Sequence, residues 1–204
     1  MISYPNVKIN LGLNVLRKRQ DGFHDLETLF LPCHALNDVL EIVSGDDYSR
    51  TSSYIFGKYG PLAAECEEKV SSKVVQGISE DGKLMVTIAR EDGVDWNPLD
   101  DLCARAYKIL DADFDLPPVK IFLEKLSPVG AGLGGGSSDA AFAIRMLNEM
   151  FSLSLSDEKM AGYASRLGSD CAFFIYGQPM FGEGRGELLS SFFPEGLLFE
   201  TVEK

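Results

Sequence analysis

Apolar and polar residues alternate along several short segments in the first half of the chain. In VKINLGLNV, at residues 7–15, every second side chain is apolar, and Lys8 and Asn10 fall together on the opposite face. The same reasoning predicts further strands at residues 38–43, 83–89 and 119–125. The first half of the chain is therefore predicted to be rich in strands.

Three segments carry apolar residues at helical spacing. The first lies within residues 96–113, with Asn97 as its predicted N-cap. The second begins directly after a run of glycines, and the third spans residues 157–167, with Ser156 as its predicted cap. Helices are thus predicted on both sides of the glycine-rich run.

Two further segments are less regular. Residues 171–177, CAFFIYG, are predicted to return to a strand. Between Ser44 and Asp81, a polar, loop-like segment precedes four apolar residues at roughly helical spacing, which predict an inserted helix. These four residues are Leu62, Cys66, Val70 and Val74.

The composition narrows the possible classes of protein. The 204 residues carry a formal net charge of −12, which argues against non-specific nucleic-acid binding, because that binding depends on clustered Lys and Arg. No apolar run approaches the roughly 20 residues that span a bilayer, and the N-terminus lacks the pattern of a signal peptide. We therefore expect a cytoplasmic protein that acts neither on nucleic acid nor in a membrane.

The cysteines are widely separated and include no CxxC pair, so a structural zinc site is not expected. We expect reduced, mostly buried thiols. The four residues are Cys33, Cys66, Cys103 and Cys171.

A glycine-rich segment, VGAGLGGGSS, follows the last of the predicted strands in the first half. Five glycines occupy the seven positions from Gly130 to Gly136. The spacing includes GxGxxG, but a Rossmann fingerprint is followed about 20 residues later by an acid at a strand end, where this chain has a loop and a helix start. A Walker loop is also excluded, because no lysine stands between the glycines and Ser137.

What remains is a run of glycines, two hydroxyls and the start of a helix. Glycines allow backbone N–H groups to approach an anion, and the helix N-terminus offers unpaired donors at the positive end of its dipole. The pattern therefore predicts a phosphate-binding cradle. The alternative is a turn in which Ser138 or Asp139 merely caps the helix. Asp139 could also help to hold Mg²⁺ through water.

These residues carry a resemblance to a known family. PVGAGLGGGSSDAA, at residues 128–141, resembles the ATP-binding motif of the GHMP kinases. KINLGLNVLRKRQDGFHDLETLF, at 8–30, and LGSDCAFFIYGQPMFGEGRGE, at 167–187, are similar to the members that phosphorylate the 2-hydroxyl of a cytidine diphosphate methylerythritol. The resemblance implies this activity, in isoprenoid precursor biosynthesis, with ATP and Mg²⁺ as cofactors.

The resemblance also implies a fold and its division into domains. The expected class is α+β, with an N-terminal domain resembling domain 2 of ribosomal protein S5 at residues 1–152 and an incomplete GHMP kinase C-terminal domain at 153–204. Residues 44–90 match the family poorly and are expected to form an insert. Because family members continue beyond Lys204, an inactive or weakly active nucleotide-binding fragment is one alternative. Another small-molecule GHMP kinase is a second.

By the same resemblance, Lys8 and Asp170 form the catalytic pair. Asp170 accepts the proton of the substrate hydroxyl, and Lys8 stabilises negative charge. Asn10 contacts the substrate near its reacting end, whereas Phe23 stacks on the cytosine and His24 hydrogen-bonds it. The residues expected along the ATP phosphates are Pro128, Val129, Gly130, Ala131, Gly132, Leu133, Gly134, Gly135, Gly136, Ser137 and Ser138.

Without the resemblance, ordinary structural roles account for the same residues. Asp170 is then a turn residue, and Lys8 a strand lysine that points to water. Phe23 is a core aromatic residue and His24 a loop histidine. The segment FGEGRGE is either a flexible loop in which Arg185 reaches an anion or a surface hairpin.

Overall fold

The structure is a computed structural model that describes residues 1–20, 22, 24–47, 49–62 and 72–192. The strands in this part of the chain are β1 Ile2–Ser3, β2 Asn6–Lys18, β3 His24–Asn37, β4 Val39–Ser44, β5 Ser72–Ile78, β6 Leu84–Val94, β7 Val119–Lys125, β8 Met180–Glu183 and β9 Leu188–Ser191. Its helices are α1 Ser52–Tyr59, α2 Leu102–Phe114, α3 Gly135–Met150, α4 Asp157–Ser165 and α5 Cys171–Tyr176. A short 3-10 helix, Pro98–Asp100, precedes α2.

The described strands form two sheets. The larger sheet has the order β1-β4-β7-β6-β5, and its neighbours are antiparallel except for the parallel pair of β6 and β7. A parallel pair requires a crossover, and α2 lies in the connection between these two strands. The second sheet, β2-β3-β8-β9, is antiparallel throughout. This mixture of helices and strands confirms the predicted α+β class.

The main core lies on one face of the larger sheet. There α2 and α3 pack against strand residues such as Ile42 and Ile121, and α4 and α5 pack against α3. Successive strand residues face opposite sides, so Val43 and Phe122 point to the other face, where they contact Ile55 of α1. Helices therefore lie on both faces of this sheet.

Near its start, strand β2 turns the polar side chain of Lys8 inward. Lys8 is only 4% exposed, whereas Ile9 is 45% exposed. A register shift between Leu11 and Leu13 leaves Gly12 in a bulge against β3, which interrupts the alternation. The alternation thus predicted correctly that Lys8 shares a face with Asn10, but it did not show which face would be buried.

Helix α2 starts later than Asn97 indicates. The Asn97 side chain accepts a hydrogen bond from Leu99 N (2.9 Å) and caps only the 3-10 helix. Asp101 is the N-cap of α2 and accepts a hydrogen bond from Cys103 N (2.9 Å). Because Asp101 has an extended ψ of 147°, the chain changes direction before α2 begins.

The segment CAFFIYG forms helix α5 rather than the predicted strand. All five residues from Cys171 to Ile175 are buried, because α5 packs against α3 and α4. A continuous apolar run has no period that distinguishes a buried helix from a buried strand. Gly177 ends the helix in the left-handed region, with φ 62°.

The predicted inserted helix is wrong where the structure describes its residues. Val74 lies in β5, where it pairs with Ala89 of β6. Cys66 and Val70 lie outside the described residues. Spacing near four residues over a short segment does not exclude a strand, and pairing with β6 decides the conformation here.

Helix α1 lies just before that segment, and its start depends on a distant residue. The carboxylate of Glu41, on β4, accepts hydrogen bonds from Ser49 Oγ (2.5 Å), Arg50 N (3.1 Å) and Thr51 N (2.9 Å). The Thr51 side chain makes no capping hydrogen bond of its own. Ser49 Oγ in turn accepts hydrogen bonds from Thr51 N (3.1 Å) and Ser52 N (2.9 Å). A local hydroxyl and a distant carboxylate therefore fix this start together.

Helices α3 and α4 occupy the predicted positions. Ser156 caps α4 by accepting a hydrogen bond from Lys159 N (3.4 Å). The domain boundary expected at residue 152 falls between these two helices and stays a prediction. Among the described residues, no helix combines the length and apolar character needed to cross a membrane.

Candidate active site

The structure brings Lys8 and Asp170 together from two different parts of the fold. Lys8 lies in β2, and Asp170 directly precedes α5. Lys8 Nζ is 3.3 Å from Asp170 Oδ2, and the side chains are 5% and 28% exposed. The ammonium is therefore buried, whereas the carboxylate remains accessible from one side.

The Lys8 ammonium also contacts groups that hold it in place. It donates to Asn10 Oδ1 at 2.6 Å and to the carbonyl of Gly132 at 3.2 Å. It lies 4.8 Å from the ring centroid of Phe30, within the range of a cation–π contact. These contacts direct the ammonium towards the space between the glycine-rich segment and Asp170.

The glycine-rich segment packs against β2. Lys8 N donates to the carbonyl of Leu133 at 2.9 Å, in addition to the side-chain bond to Gly132. Alternate glycines at 130, 132 and 134 have left-handed φ values of 76°, 75° and 71°, which other residues adopt only with strain. The loop therefore requires glycine at alternate positions.

Helix α3 begins at the end of this loop. Its N-cap is Gly134, and no side chain caps it, so the alternative of a turn capped by Ser138 or Asp139 does not describe the structure. The first turn of the helix presents backbone N–H groups that have no partner within the helix. Ser138 Oγ is buried, and no described residue hydrogen-bonds to it. Donors for an anion are thus gathered at this end of α3.

A cavity of about 500 Å³ opens beside the loop. Its walls include Asp170, Trp96 and the whole stretch from Pro128 to Ser137. The cavity is large enough for a small-molecule ligand. The predicted catalytic carboxylate and the predicted phosphate-binding loop thus line the same space.

A buried charged cluster beneath the loop escaped the sequence prediction. The Lys125 ammonium, at the end of β7, donates to Asp139 Oδ2 (2.6 Å) and to Asp38 Oδ2. The second oxygen of Asp38 accepts hydrogen bonds from the backbone N–H groups of Leu126 and Ser127, both at 2.7 Å. The cluster ties the strand before the loop to the helix after it.

Burial and neighbouring charges shift the pKa values of Asp139 and Lys125 in opposite directions. Burial raises the pKa of the Asp139 carboxyl well above its usual range, although the Lys125 ammonium opposes the shift. Burial lowers the pKa of Lys125, but the carboxylates of Asp139 and Asp38 outweigh it and leave the pKa raised. Lys125 therefore remains a cation at the floor of the cavity. Its bond to Asp139 offsets the negative charge that the sequence placed beside the loop.

The segment FGEGRGE forms the hairpin of β8 and β9, which extends the second sheet. Its turn lies next to Asp170, because a Cβ on Gly186 would be 3.4 Å from Asp170 Oδ1 and 3.2 Å from Phe30 Cζ. Arg185 pairs with Glu187 at 3.6 Å. The structure therefore has the hairpin, and contact between Arg185 and an anion stays a prediction.

The residues predicted to bind the acceptor do not all lie near the Lys8–Asp170 pair. Asn10 lies beside Lys8, to which it is hydrogen-bonded. His24 is exposed at the far end of the β2–β3 pair, since it pairs with Lys18 whereas Lys8 pairs with Pro32. Phe23 lies outside the described residues. The described structure thus joins only the Asn10 part of the predicted acceptor site to the Lys8–Asp170 pair.

Comparison with known proteins shows which family this part of the chain resembles. Residues 101–178, which include α2, the glycine-rich loop and α5, match the family of GHMP kinases N terminal domains. This likeness accords with the glycine loop without a lysine, which distinguishes it from a Walker loop.

Several curated relatives carry the name 4-diphosphocytidyl-2-C-methyl-D-erythritol kinase. The relative from Bacteroides thetaiotaomicron is 45% identical over 190 residues, which are 93% of this chain and 57% of the relative. The relative from Cytophaga hutchinsonii is 38% identical over 190 residues, 93% of this chain and 56% of the relative. The chain thus spans little more than half the length of the curated relatives that it matches.

Solved structures show the same likeness. A crystal structure of 4-(cytidine 5'-diphospho)-2C-methyl-D-erythritol kinase superposes with a TM-score of 0.61 at 30% identity and covers 93% of this chain and 54% of that chain. Mevalonate kinase from Methanococcus jannaschii superposes with a TM-score of 0.54 at 12% identity, covering 96% and 56% of the two chains. The second likeness concerns the fold alone.

Proposed function

We propose that this protein transfers the γ-phosphoryl group of ATP to the 2-hydroxyl of 4-diphosphocytidyl-2-C-methyl-D-erythritol, in the cytoplasm, as a step in isoprenoid precursor biosynthesis. The observation that carries the proposal is the approach of Lys8 Nζ to Asp170 Oδ2, 3.3 Å, at the edge of a cavity lined by the glycine-rich loop. The names of the relatives support the choice of acceptor.

The residues of the loop suit a nucleotide and its metal. ATP would lie along residues 128–138, where it supplies the phosphoryl group, and Mg²⁺ would neutralise part of the phosphate charge. A Cβ on Gly130 or Gly132 would meet nothing within 4 Å, so the backbone faces open space and can approach a ligand closely. Ser137, at the same end of α3, lines the cavity and supplies a hydroxyl.

Asp170 and Lys8 have complementary tasks in this proposal. The Asp170 carboxylate accepts the proton of the acceptor hydroxyl, for which its partial exposure to the cavity is necessary. The Lys8 ammonium holds that carboxylate in place and stabilises the negative charge that increases during transfer. Since Lys8 is buried, its charge is weakly screened by water and acts strongly at short range.

The acceptor would be recognised by residues on β2, at the start of β3 and in the connection between these strands. Asn10 would contact the reacting end, because it lies beside the Lys8 ammonium. Phe23 would stack on the cytosine, and His24 would hydrogen-bond the edge of the base. A base-recognition pair has no purpose for homoserine or mevalonate, which argues against these acceptors.

A coupled assay of ADP release tests the proposal. We expect turnover with 4-diphosphocytidyl-2-C-methyl-D-erythritol and ATP with Mg²⁺, and none with homoserine or mevalonate. Folding and the monomeric state of the sample are established beforehand by circular dichroism and analytical ultracentrifugation. ATP binding without turnover in such a sample would overturn the proposal and leave a nucleotide-binding function.

A further inference from the structure

We infer that Thr28 is a positioning residue of this active site: its hydroxyl fixes the orientation of the Asn10 side-chain amide and thereby the direction of the Lys8 ammonium. The inference rests on the proposed function, because it concerns the charge that Lys8 brings to phosphoryl transfer. Thr28 lies on β3 and is only 4% exposed.

Only one assignment of donors and acceptors satisfies the hydrogen bonds of Thr28. Thr28 Oγ1 lies 2.6 Å from the carbonyl oxygen of Gly12 and 3.1 Å from Asn10 Nδ2. A hydroxyl has one proton to donate, and a carbonyl can only accept. The proton of Thr28 is therefore used on Gly12, and only the lone pairs of Thr28 face Asn10.

This direction determines the orientation of the Asn10 amide. The NH₂ group of Asn10 must face Thr28, because Thr28 has only lone pairs to offer on that side. The amide oxygen then faces the Lys8 ammonium and accepts its hydrogen bond at 2.6 Å. In the opposite orientation, an NH₂ group would face an ammonium, and neither group could accept a proton.

The bulge in β2 provides the Gly12 carbonyl, and the hydrogen bonds that link Thr28, Asn10 and Lys8 depend on this carbonyl. Gly12 has a left-handed φ of 69° and falls between the paired residues Leu11 and Leu13. The carbonyl of Gly12 is thereby directed at Thr28 on the neighbouring strand. The glycine in the alternating segment of β2 thus acts on Lys8 through Thr28 and Asn10.

The orientation of the Asn10 amide affects the direction in which the Lys8 ammonium points, and it does not affect the burial of Lys8. The contacts of Lys8 with the Gly132 carbonyl (3.2 Å) and with Asp170 (3.3 Å) do not involve the Asn10 amide. A flipped amide would repel the ammonium from the side of Asn10 and change its position relative to Asp170. We therefore expect Thr28 to affect kcat more than the affinity for ATP.

Three variants test the inference. Thr28→Val keeps the shape of the side chain and removes the hydroxyl, and we expect kcat to fall by about 10- to 100-fold while KM for ATP changes less than about 3-fold. Thr28→Ser restores the hydroxyl and should return kcat to within about 3-fold of the wild-type value. Thr87→Val is the matched control, because Thr87 is fully buried on β6 and bonds Gln76 Nε2 (2.8 Å) outside the site. It should leave kcat unchanged.

A double-mutant cycle shows whether Thr28 acts through Asn10. In an Asn10→Ala background, Thr28→Val should cause no further loss of kcat, since the amide that it orients is gone. Unchanged kcat in Thr28→Val, or full additivity of the two losses, would overturn the inference.

A second readout does not depend on turnover. The side-chain amide signals of Asn10, assigned in ¹⁵N-correlated NMR spectra by their absence from Asn10→Ala, should exchange with solvent faster in Thr28→Val than in wild type and Thr28→Ser. Equal exchange rates in all three proteins contradict the hydrogen bonds themselves. If the exchange changes as expected in a protein that has no kinase activity, the proposed function fails while the orientation of Asn10 by Thr28 stands.

Discussion

Lys8 Nζ lies 3.3 Å from Asp170 Oδ2, and the other oxygen of Asp170 lies 3.3 Å from Ser169 Oγ. The carboxylate is thus held on both oxygens while part of it remains open to the cavity. A carboxylate held in this way can accept a proton from a bound hydroxyl without first rearranging. Its removal should therefore affect the chemical step.

We expect Asp170→Asn to abolish measurable turnover, with a loss of at least about 100-fold in kcat, because an amide cannot accept the proton. ATP affinity, measured by isothermal titration calorimetry, should stay within about 3-fold, since the loop and α3 are untouched. A variant that kept the wild-type kcat would show that the role given to Asp170 is wrong.

Lys125→Met should lower the free energy of unfolding by about 3–5 kcal/mol, because it leaves the carboxylates of Asp38 and Asp139 buried without their cation. Urea denaturation measures the change. Lys73→Met is the control, since Lys73 pairs with Glu91 at the surface, where such pairs contribute about 0–1 kcal/mol. Asp139→Asn added to Lys125→Met should recover part of the loss. Equal stabilities of the two lysine variants would contradict the importance of the buried cluster.

Glu41 should make the stability of the protein depend on pH. Burial raises the pKa of Glu41, but hydrogen bonds from Ser49 and Thr51 outweigh burial and leave the pKa lowered. Because the folded pKa is lowered, this stabilisation is complete above the ordinary carboxyl pKa of about 4.5 and is lost as the pH falls through the lowered value.

We therefore expect Glu41→Gln to destabilise the protein by about 1–3 kcal/mol at pH 7 and by less below pH about 4. Urea denaturation across this range provides the measurement. Glu149→Gln, at an exposed position of α3, should differ from wild type by no more than about 0.5 kcal/mol at either pH. A Glu41 difference that grew on acidification would have the wrong sign.

Gly186→Ala should lower both stability and kcat. Its φ of 103° is strained for alanine, and the new Cβ would press against Phe30 and Asp170. Gly162→Ala is the matched control, because this residue lies inside α4 with nothing within 4 Å of the new Cβ, and alanine there should add about 0.5–1 kcal/mol. Thermal unfolding and ADP release measure the two effects. Changes of the same sign in both variants would argue against the close fit at Asp170.

The thiols should differ in reactivity. Burial raises the pKa of Cys171 to about 11 and raises that of Cys103, so both should resist iodoacetamide in the folded protein at pH 8. Cys33, which is partly exposed, should be alkylated within the same time. Mass spectrometry of tryptic peptides measures the modification, and rapid labelling of Cys171 would show that the α5 region opens.

The spacing of apolar residues predicted an element correctly where residues close in sequence determine its conformation. The strand of β7 was predicted with its observed bounds, and the helix predicted after the glycines is present, although it starts at Gly135, within the run. The pattern failed for α5, whose residues are apolar without interruption, and for α1, whose start depends on Ser49 and on Glu41 from another strand. Periodicity is absent in the first case, and part of the hydrogen bonding is not local in the second.

The sequence by itself determined the glycine loop before α3 and the common face of Lys8 and Asn10, because these follow from spacing along one segment. Only the tertiary structure decided that Lys8 is buried whereas Ile9 is exposed, that Lys8 meets Asp170, and that Lys125 joins Asp38 to Asp139. A buried charge is stable only beside a partner of opposite charge. That partner comes from wherever the folded chain brings two elements together, which no local spacing encodes.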